Sequence, residues 1–132
     1  MRLDVGTIAH WRDFTAGHDK YVYILGTNDL GEVLSFTISS QTKYLSLTPH
    51  KYEMVEIPHR QTDFLDRPSY IQCFFELTRT HIDAFKVLER NGSINYRGCM
   101  PQFIPQILAI ATKSVLLAQD DCDSVIAICA PK

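Results

Sequence analysis

The sequence predicts a mainly β fold with packing helices, formed by one domain over residues 1–132. Three observations carry this. The chain has 132 residues, enough for one ordinary domain and too few for two. Up to about residue 80, short runs rich in Val, Ile, Tyr, Phe and Thr alternate with turn residues. Beyond residue 80, apolar residues recur at helical spacing, and neither a repeat nor a low-complexity linker divides the two parts.

The first predicted strand is 6–14. Its inward candidates Ile8, His10 or Trp11, and Phe14 do not alternate cleanly, which predicts a bulge. Residues 15–20 form a polar loop around Gly17. Residues 21–25 are aromatic and β-branched, hence a strand, and Asn28, Asp29 and Gly31 supply turn chemistry after it. In 33–39, Val33, Ser35, Thr37 and Ser39 alternate with Leu34, Phe36 and Ile38. This predicts a strand with one buried face and one face lined by hydroxyls. Residues 52–57 form a fourth strand, stopped by Pro58. Residues 69–77 form a fifth, the longest and most apolar, expected at the centre of the sheet. Thr80 reads as a helix N-cap with Asp83 three residues on. Ile82, Phe85 and Leu88 share the face of a short helix that Gly92 ends. Residues 93–96 are extended, and 101–118 form the main helix, with Ile104, Ile107, Leu108, Ala111 and Val115 toward the sheet. Residues 120–130 fit either a second helix or an edge strand. Five or six short antiparallel strands followed by a packing helix predict a small SH3-like barrel with a C-terminal helix.

Composition limits function. Hydrophobic residues make up 45 % and charged residues 21 %, so the chain can bury a core and is not disordered by composition. A net charge of -2 excludes tight, indiscriminate binding to polyanions by bulk charge. It leaves room for a local basic cleft, because Lys43, Lys51, Arg60 and Arg67 lie mid-chain while Asp120, Asp121 and Asp123 crowd the tail. No apolar core follows the N-terminal charges, so no secretory signal is expected. The longest apolar stretch, 103–118, is interrupted by Pro105, Gln106, Lys113 and Ser114, too short and polar to span a bilayer. The four cysteines form no CxxC. Reduced, partly buried thiols in a cytoplasmic protein are expected, rather than disulfides or zinc. No cofactor is expected.

The nucleotide-binding loops GxxxxGK[ST] and GxGxxG, the nucleophile elbow GxSxG and the zinc motif HExxH are all absent. The five histidines are scattered. His10 and Asp13 stand three apart, which on a strand points them to opposite faces. Candidate chemistry lies elsewhere. Lys20 sits at the mouth of a loop just before an apolar strand, with His18 two residues away. A cation so placed can hold a phosphate. Ser39, Ser40 and Gln41 make a polar strand end whose hydroxyls and amide can position a ribose or phosphate oxygen. Lys43, Lys51 and Arg60 interleave with Tyr44 and Tyr52, a mixture that can hold single-stranded nucleic acid by charge and stacking. Each of these, taken alone, is also what an ordinary surface loop or strand edge carries.

Taken in order, GTIAHWRDF, a loop ending in Lys20 before YVYIL, then LSFTISSQ, then SYIQCFFELTRTHIDAF, the chain resembles the MazF/PemK-like toxin family across most of 5–118. The resemblance implies an SH3-like barrel, usually a homodimer. It implies a sequence-specific endoribonuclease acting on single-stranded RNA and held inactive by an antitoxin protein. The family's basic catalytic residue falls on Lys20, where arginine is typical. Its strand-end hydroxyl falls on Ser39, where threonine is usual, and the neighbouring amide on Gln41. Thr7 stands where the family carries an acidic residue, and Tyr21 where it carries proline.

In such an enzyme the nucleophile is the substrate's own 2′-hydroxyl, so no serine or cysteine nucleophile is needed. The expected catalytic residues are Lys20, Ser39 and, on its chemistry alone, His18. Gln41, Lys43, Lys51 and Arg60 are the expected RNA-binding residues. The alternative is a non-catalytic module on the same barrel that binds nucleic acid or protein.

Overall fold

The computed structural model describes residues 3–12 and 19–131. Among the described residues, seven strands form one antiparallel sheet: β1 (Thr7–Trp11), β2 (Lys20–Thr27), β3 (Glu32–Ser39), β4 (Met54–Ile57), β5 (Ser69–Gln72), β6 (Thr78–His81) and β7 (Ile94–Cys99). Three α-helices pack on it: α1 (Ile82–Arg90), α2 (Ile104–Lys113) and α3 (Gln119–Cys129). The strand order is β4-β5-β3-β2-β1-β7, with β6 also paired to β3. The sheet does not close: among the described residues β4 and β7 stand at its two ends.

The front half follows its alternation. β2 and β3 form a hairpin whose turn is closed by Asn28, its Oδ1 accepting from the N–H of Leu30 (3.0 Å) and of Glu32 (2.9 Å). β1 carries the expected irregularity, a register shift against β7 between Ile8 and Ala9. The strand ends at Trp11, and residues 13 and 14 lie outside the described part. Gly6, with φ +89°, stands just before β1 against Pro101, whose Cα would stand 2.6 Å from an added Cβ. Only glycine fits such a position.

Three expectations are corrected. The apolar run 69–77 is not one long central strand. It breaks into β5 and β6, which lie along the same edge of β3, and residues 73–77 loop out between them with Phe75 at φ +67°. Thr80 is therefore a strand residue. The N-cap of α1 is His81, whose Nδ1 accepts from the Asp83 N–H at 3.2 Å. The fourth strand begins at Met54 rather than residue 52, because 50–53 wind into a 3₁₀ turn.

The predicted 101–118 helix is also divided. Pro101–Phe103 form a 3₁₀ turn, α2 follows, and Ser114 is extended. A long-range contact makes the break. The buried Glu53 carboxylate accepts from the Ser114 hydroxyl and from the Val115 N–H (3.0 Å), while Ser114 Oγ accepts from the Leu117 N–H (2.9 Å). Val115, expected in the core, is 72 % exposed. The undecided tail is helix α3, and Asp120 and Asp121 in its first turn suit the helix dipole.

The sheet is buried on both faces. Tyr23, Leu25, Leu34, Phe36 and Ile71 pack in the larger core with Ile107 and Ala111 of α2 and Val125 of α3. Within it the Tyr23 hydroxyl donates to the Met100 carbonyl at 2.7 Å, and burial pushes its pKa up. On the other face Ala9, Trp11, Val22, Ile24 and Val33 pack with Phe85 of α1. The hydroxyl face of β3 is thus not simply open. Ser35 is buried, while Thr37 and Ser39 are half-buried. All four cysteines are free thiols; Cys73, Cys122 and Cys129 are buried and Cys99 is exposed. Among the described residues no helix is long and apolar enough to cross a membrane.

Candidate functional site

Strand register assembles a cleft at one end of the β2–β3–β5 region. Tyr21 pairs with Ile38, so one further step sets Lys20 beside Ser39. On its other side Ser39 pairs with Tyr70 of β5. The chain reaches β5 through Arg67-Pro68-Ser69, and proline keeps the residue before it extended. The outcome is an open cleft of about 490 Å³ lined by Lys20, Ser39, Ser40, Gln41, Arg67 and Ser69, together with Tyr21, Phe64, Asp19 and Asp66.

The polar groups are differently engaged. Lys20, half-buried at the start of β2, makes no ion pair or hydrogen bond through its ammonium among the described residues. Ser39 Oγ accepts from the Gln41 N–H at 3.2 Å, which fixes the turn after β3 and leaves the hydroxyl proton to donate. Arg67 donates from Nε to Asp66 Oδ1 at 3.3 Å. This guanidinium holds the Asp66 carboxyl below its usual range, and the pair is solvent-exposed, so it adds little to stability. Asp19 Oδ2 lies 3.6 Å from His10 Nε2. His10 thus faces Asp19, while Asp13 lies outside the described residues.

The structure brings Lys20, Ser39 and Gln41 together. It does not bring Lys43, Lys51 and Arg60 to them. Lys43 lies over the Tyr44 ring (5.0 Å to the centroid) and Lys51 over the Tyr52 ring (4.9 Å), outside the residues that line the cleft. Arg60 lines a separate recess with Arg97, which touches the cleft only through the shared side chain of Phe64. The reason is topological: 43–53 are wound into short 3₁₀ turns ahead of β4, so neighbours in sequence do not face one site. His18 falls outside the described residues.

The residue that the site-by-site sequence analysis missed is Arg67. Its signal was present, a basic residue before Pro68 and an apolar strand, but its place beside Ser39 needs the β3–β5 pairing. Among the described residues no group of three His, Cys, Asp or Glu side chains is arranged to hold a metal ion. Chemically, the cleft offers two cations, hydroxyls and an amide around an open space. That set can bind a phosphodiester and neutralise charge that develops on it. No family model matches the chain, and no curated protein matches it.

Proposed function

We propose that this chain is a toxin-type endoribonuclease resembling the MazF/PemK-like family, cleaving single-stranded RNA through the substrate's 2′-hydroxyl. The observation that carries the proposal is the register that sets Lys20 beside Ser39 in one open cleft with Gln41 and Arg67. The unclosed antiparallel sheet is, on this proposal, the family's SH3-like barrel in an open form. A cytoplasmic location, an antitoxin protein and a homodimer belong to the same reading.

In the reaction, the 2′-oxygen attacks phosphorus in line and the bond to the 5′-oxygen breaks. The products are a 2′,3′-cyclic phosphate and a 5′-hydroxyl; the proton lost from the 2′-hydroxyl is balanced by one gained at the 5′-oxygen. The Lys20 ammonium stabilises the phosphoryl oxygens and stands as proton donor to the leaving oxygen. Arg67 adds a forked donor beside it. Ser39 and Gln41 orient the scissile phosphate or its ribose. His18 remains an acid or base on its chemistry alone.

The test is incubation of the purified protein with a long single-stranded RNA and identification of the product ends. Cyclic phosphate ends that disappear in Lys20→Ala support the reading; unchanged cleavage by Lys20→Ala and Ser39→Ala overturns it. A second reading has its own observation. Asp19 and Asp66 line the same cleft, and Lys20 is a point charge where a forked guanidinium is typical. A non-catalytic binding module follows if the protein holds RNA without cutting it.

A further inference from the structure

A larger groove, about 600 Å³, opens on the same side of the sheet as Ser39. Alternation puts Ser35, Thr37 and Ser39 on one face of β3. Ser35 pairs with Thr78, and one step along the β3–β5 register from the Ile38–Ile71 pair sets Gln72 beside Thr37. Thr37, Gln72, Thr78 and Thr80 give the groove a row of hydroxyls and one amide; Phe75 lines it with exposed aromatic surface, and the largely buried Trp11 reaches its margin. The groove and the Lys20 cleft adjoin. Trp11 pairs with Lys20 across β1 and β2, and Thr37 lies two residues, roughly 7 Å, from Ser39 along β3.

Phe75 is the anomaly here. It is the non-glycine residue at positive φ among the described residues, and its side chain is 53 % exposed. A bulky residue in the left-handed region costs free energy, and exposing a phenyl ring recovers little of it. Folding alone favours glycine or asparagine at this position. The ring stands nearly perpendicular to Phe74 (4.6 Å between centroids), His50 (5.4 Å) and Tyr44 (5.9 Å), so its neighbours hold its orientation. A flat ring braced in this way, beside a hydroxyl-and-amide floor, has the chemistry of a base-stacking platform. Arg79 and Glu76 also line the groove. Arg79 is bound to Asp121 (2.9 Å), Ser124 (2.8 Å) and Glu32 (3.5 Å), which leaves phosphate binding to the Lys20 side.

We propose that the groove lined by Trp11 and Phe75 holds one nucleobase of a single-stranded RNA whose adjoining phosphate occupies the Lys20–Ser39 cleft. This rests on the endoribonuclease reading for the identity of the strand, and it names where that strand's base is held. Phe75 is the stacking surface; Thr37, Gln72 and Thr78 meet the base edge.

Trp11 is the only tryptophan of the chain, so its fluorescence reports occupancy without any cleavage. The experiment titrates the whole protein with a 2′-O-methyl hexanucleotide, which lacks the attacking hydroxyl. Saturable quenching is expected. Phe75→Gly and Phe75→Asn suit the backbone but lack the ring, and each weakens binding about tenfold, while Phe75→Tyr restores it. An oligomer abasic at every position binds the wild type and Phe75→Gly alike. Equal affinity of wild type and both ring-less variants for the base-bearing oligomer, or no saturable quenching, overturns the proposal. The two readings fail separately: undiminished cleavage by Lys20→Ala removes the catalytic assignment, and undiminished binding by Phe75→Gly removes only the base platform.

Discussion

On one face of the sheet, Tyr23, Phe36, Ile71 and their neighbours are sealed under α2 and α3; on the other, Ala9, Val22, Ile24 and Val33 meet α1 through Phe85, and toward Thr37 and Ser39 that face is only half-covered. The same strands supply both. Alternation in β3 sends Leu34, Phe36 and Ile38 one way and Ser35, Thr37 and Ser39 the other. The difference teaches that toward the end of β3, from Phe36 to Ser39, stability and chemistry are divided by side-chain parity: the even positions are sealed in the core and the odd ones are half-exposed.

The largest effect is expected from breaking the sealed face. Phe36→Ala leaves a cavity beneath α2 and α3 and costs about 3–5 kcal/mol, read as a lowered Tm, with any loss of cleavage following the fraction unfolded. Lys20→Ala does the reverse. Cleavage falls by about 100-fold or more, the scale of losing one charge-stabilising donor, while Tm stays within experimental error of the wild type. A Tm drop in Lys20→Ala comparable to that in Phe36→Ala would erase the contrast.

Glu53→Ala sharpens the comparison from the sealed side. It strips the acceptor from the Val115 N–H and the Ser114 hydroxyl where α2 gives way to α3. Unfolding by urea should show a loss of about 1–3 kcal/mol, with oligonucleotide binding unchanged. The smallest effect at neutral pH comes from titration. Burial raises the thiols of Cys73 and Cys129, the latter from 9.0 to about 11. The folded state thus keeps protons that the unfolded chain gives up. Their contribution is fully present below the unfolded thiol pKa; that of Cys129 is lost as pH rises through about 11, and that of Cys73, raised further by its deeper burial, at still higher pH. The urea midpoint should therefore decline over that window. Alkylation at pH 8 should modify exposed Cys99 well before the three buried thiols.

The legible parts of the sequence were those where local pattern and tertiary context agree. The β2–β3 hairpin, its Asn28–Gly31 turn and the irregular β1 follow from alternation and turn chemistry. The polar strand end at Ser39–Gln41 and the cation at Lys20 were legible for the same reason, since both sit at boundaries of clear strands. What stayed hidden depends on contacts distant in sequence. Nothing local in SYIQCFFEL announces a break, because its Tyr, Ile and Phe residues favour a strand, it holds no glycine or proline, and the bend falls on a phenylalanine. The end of α2 at Lys113 is imposed by Glu53, sixty residues upstream. The company of Arg67 and the separation of Lys43, Lys51 and Arg60 both follow from strand order, which periodicity does not encode.

β3 has a neighbour along both of its edges, β2 on one side and β6 followed by β5 on the other. Its amides should therefore exchange with deuterium only through the rarest, most global openings, whereas the end strands β4 and β7 exchange through local fraying. Thr37 and Ser39 are thus mounted on an interior strand of the sheet. A ligand arriving there meets groups already in position, and its binding energy is not spent on ordering them.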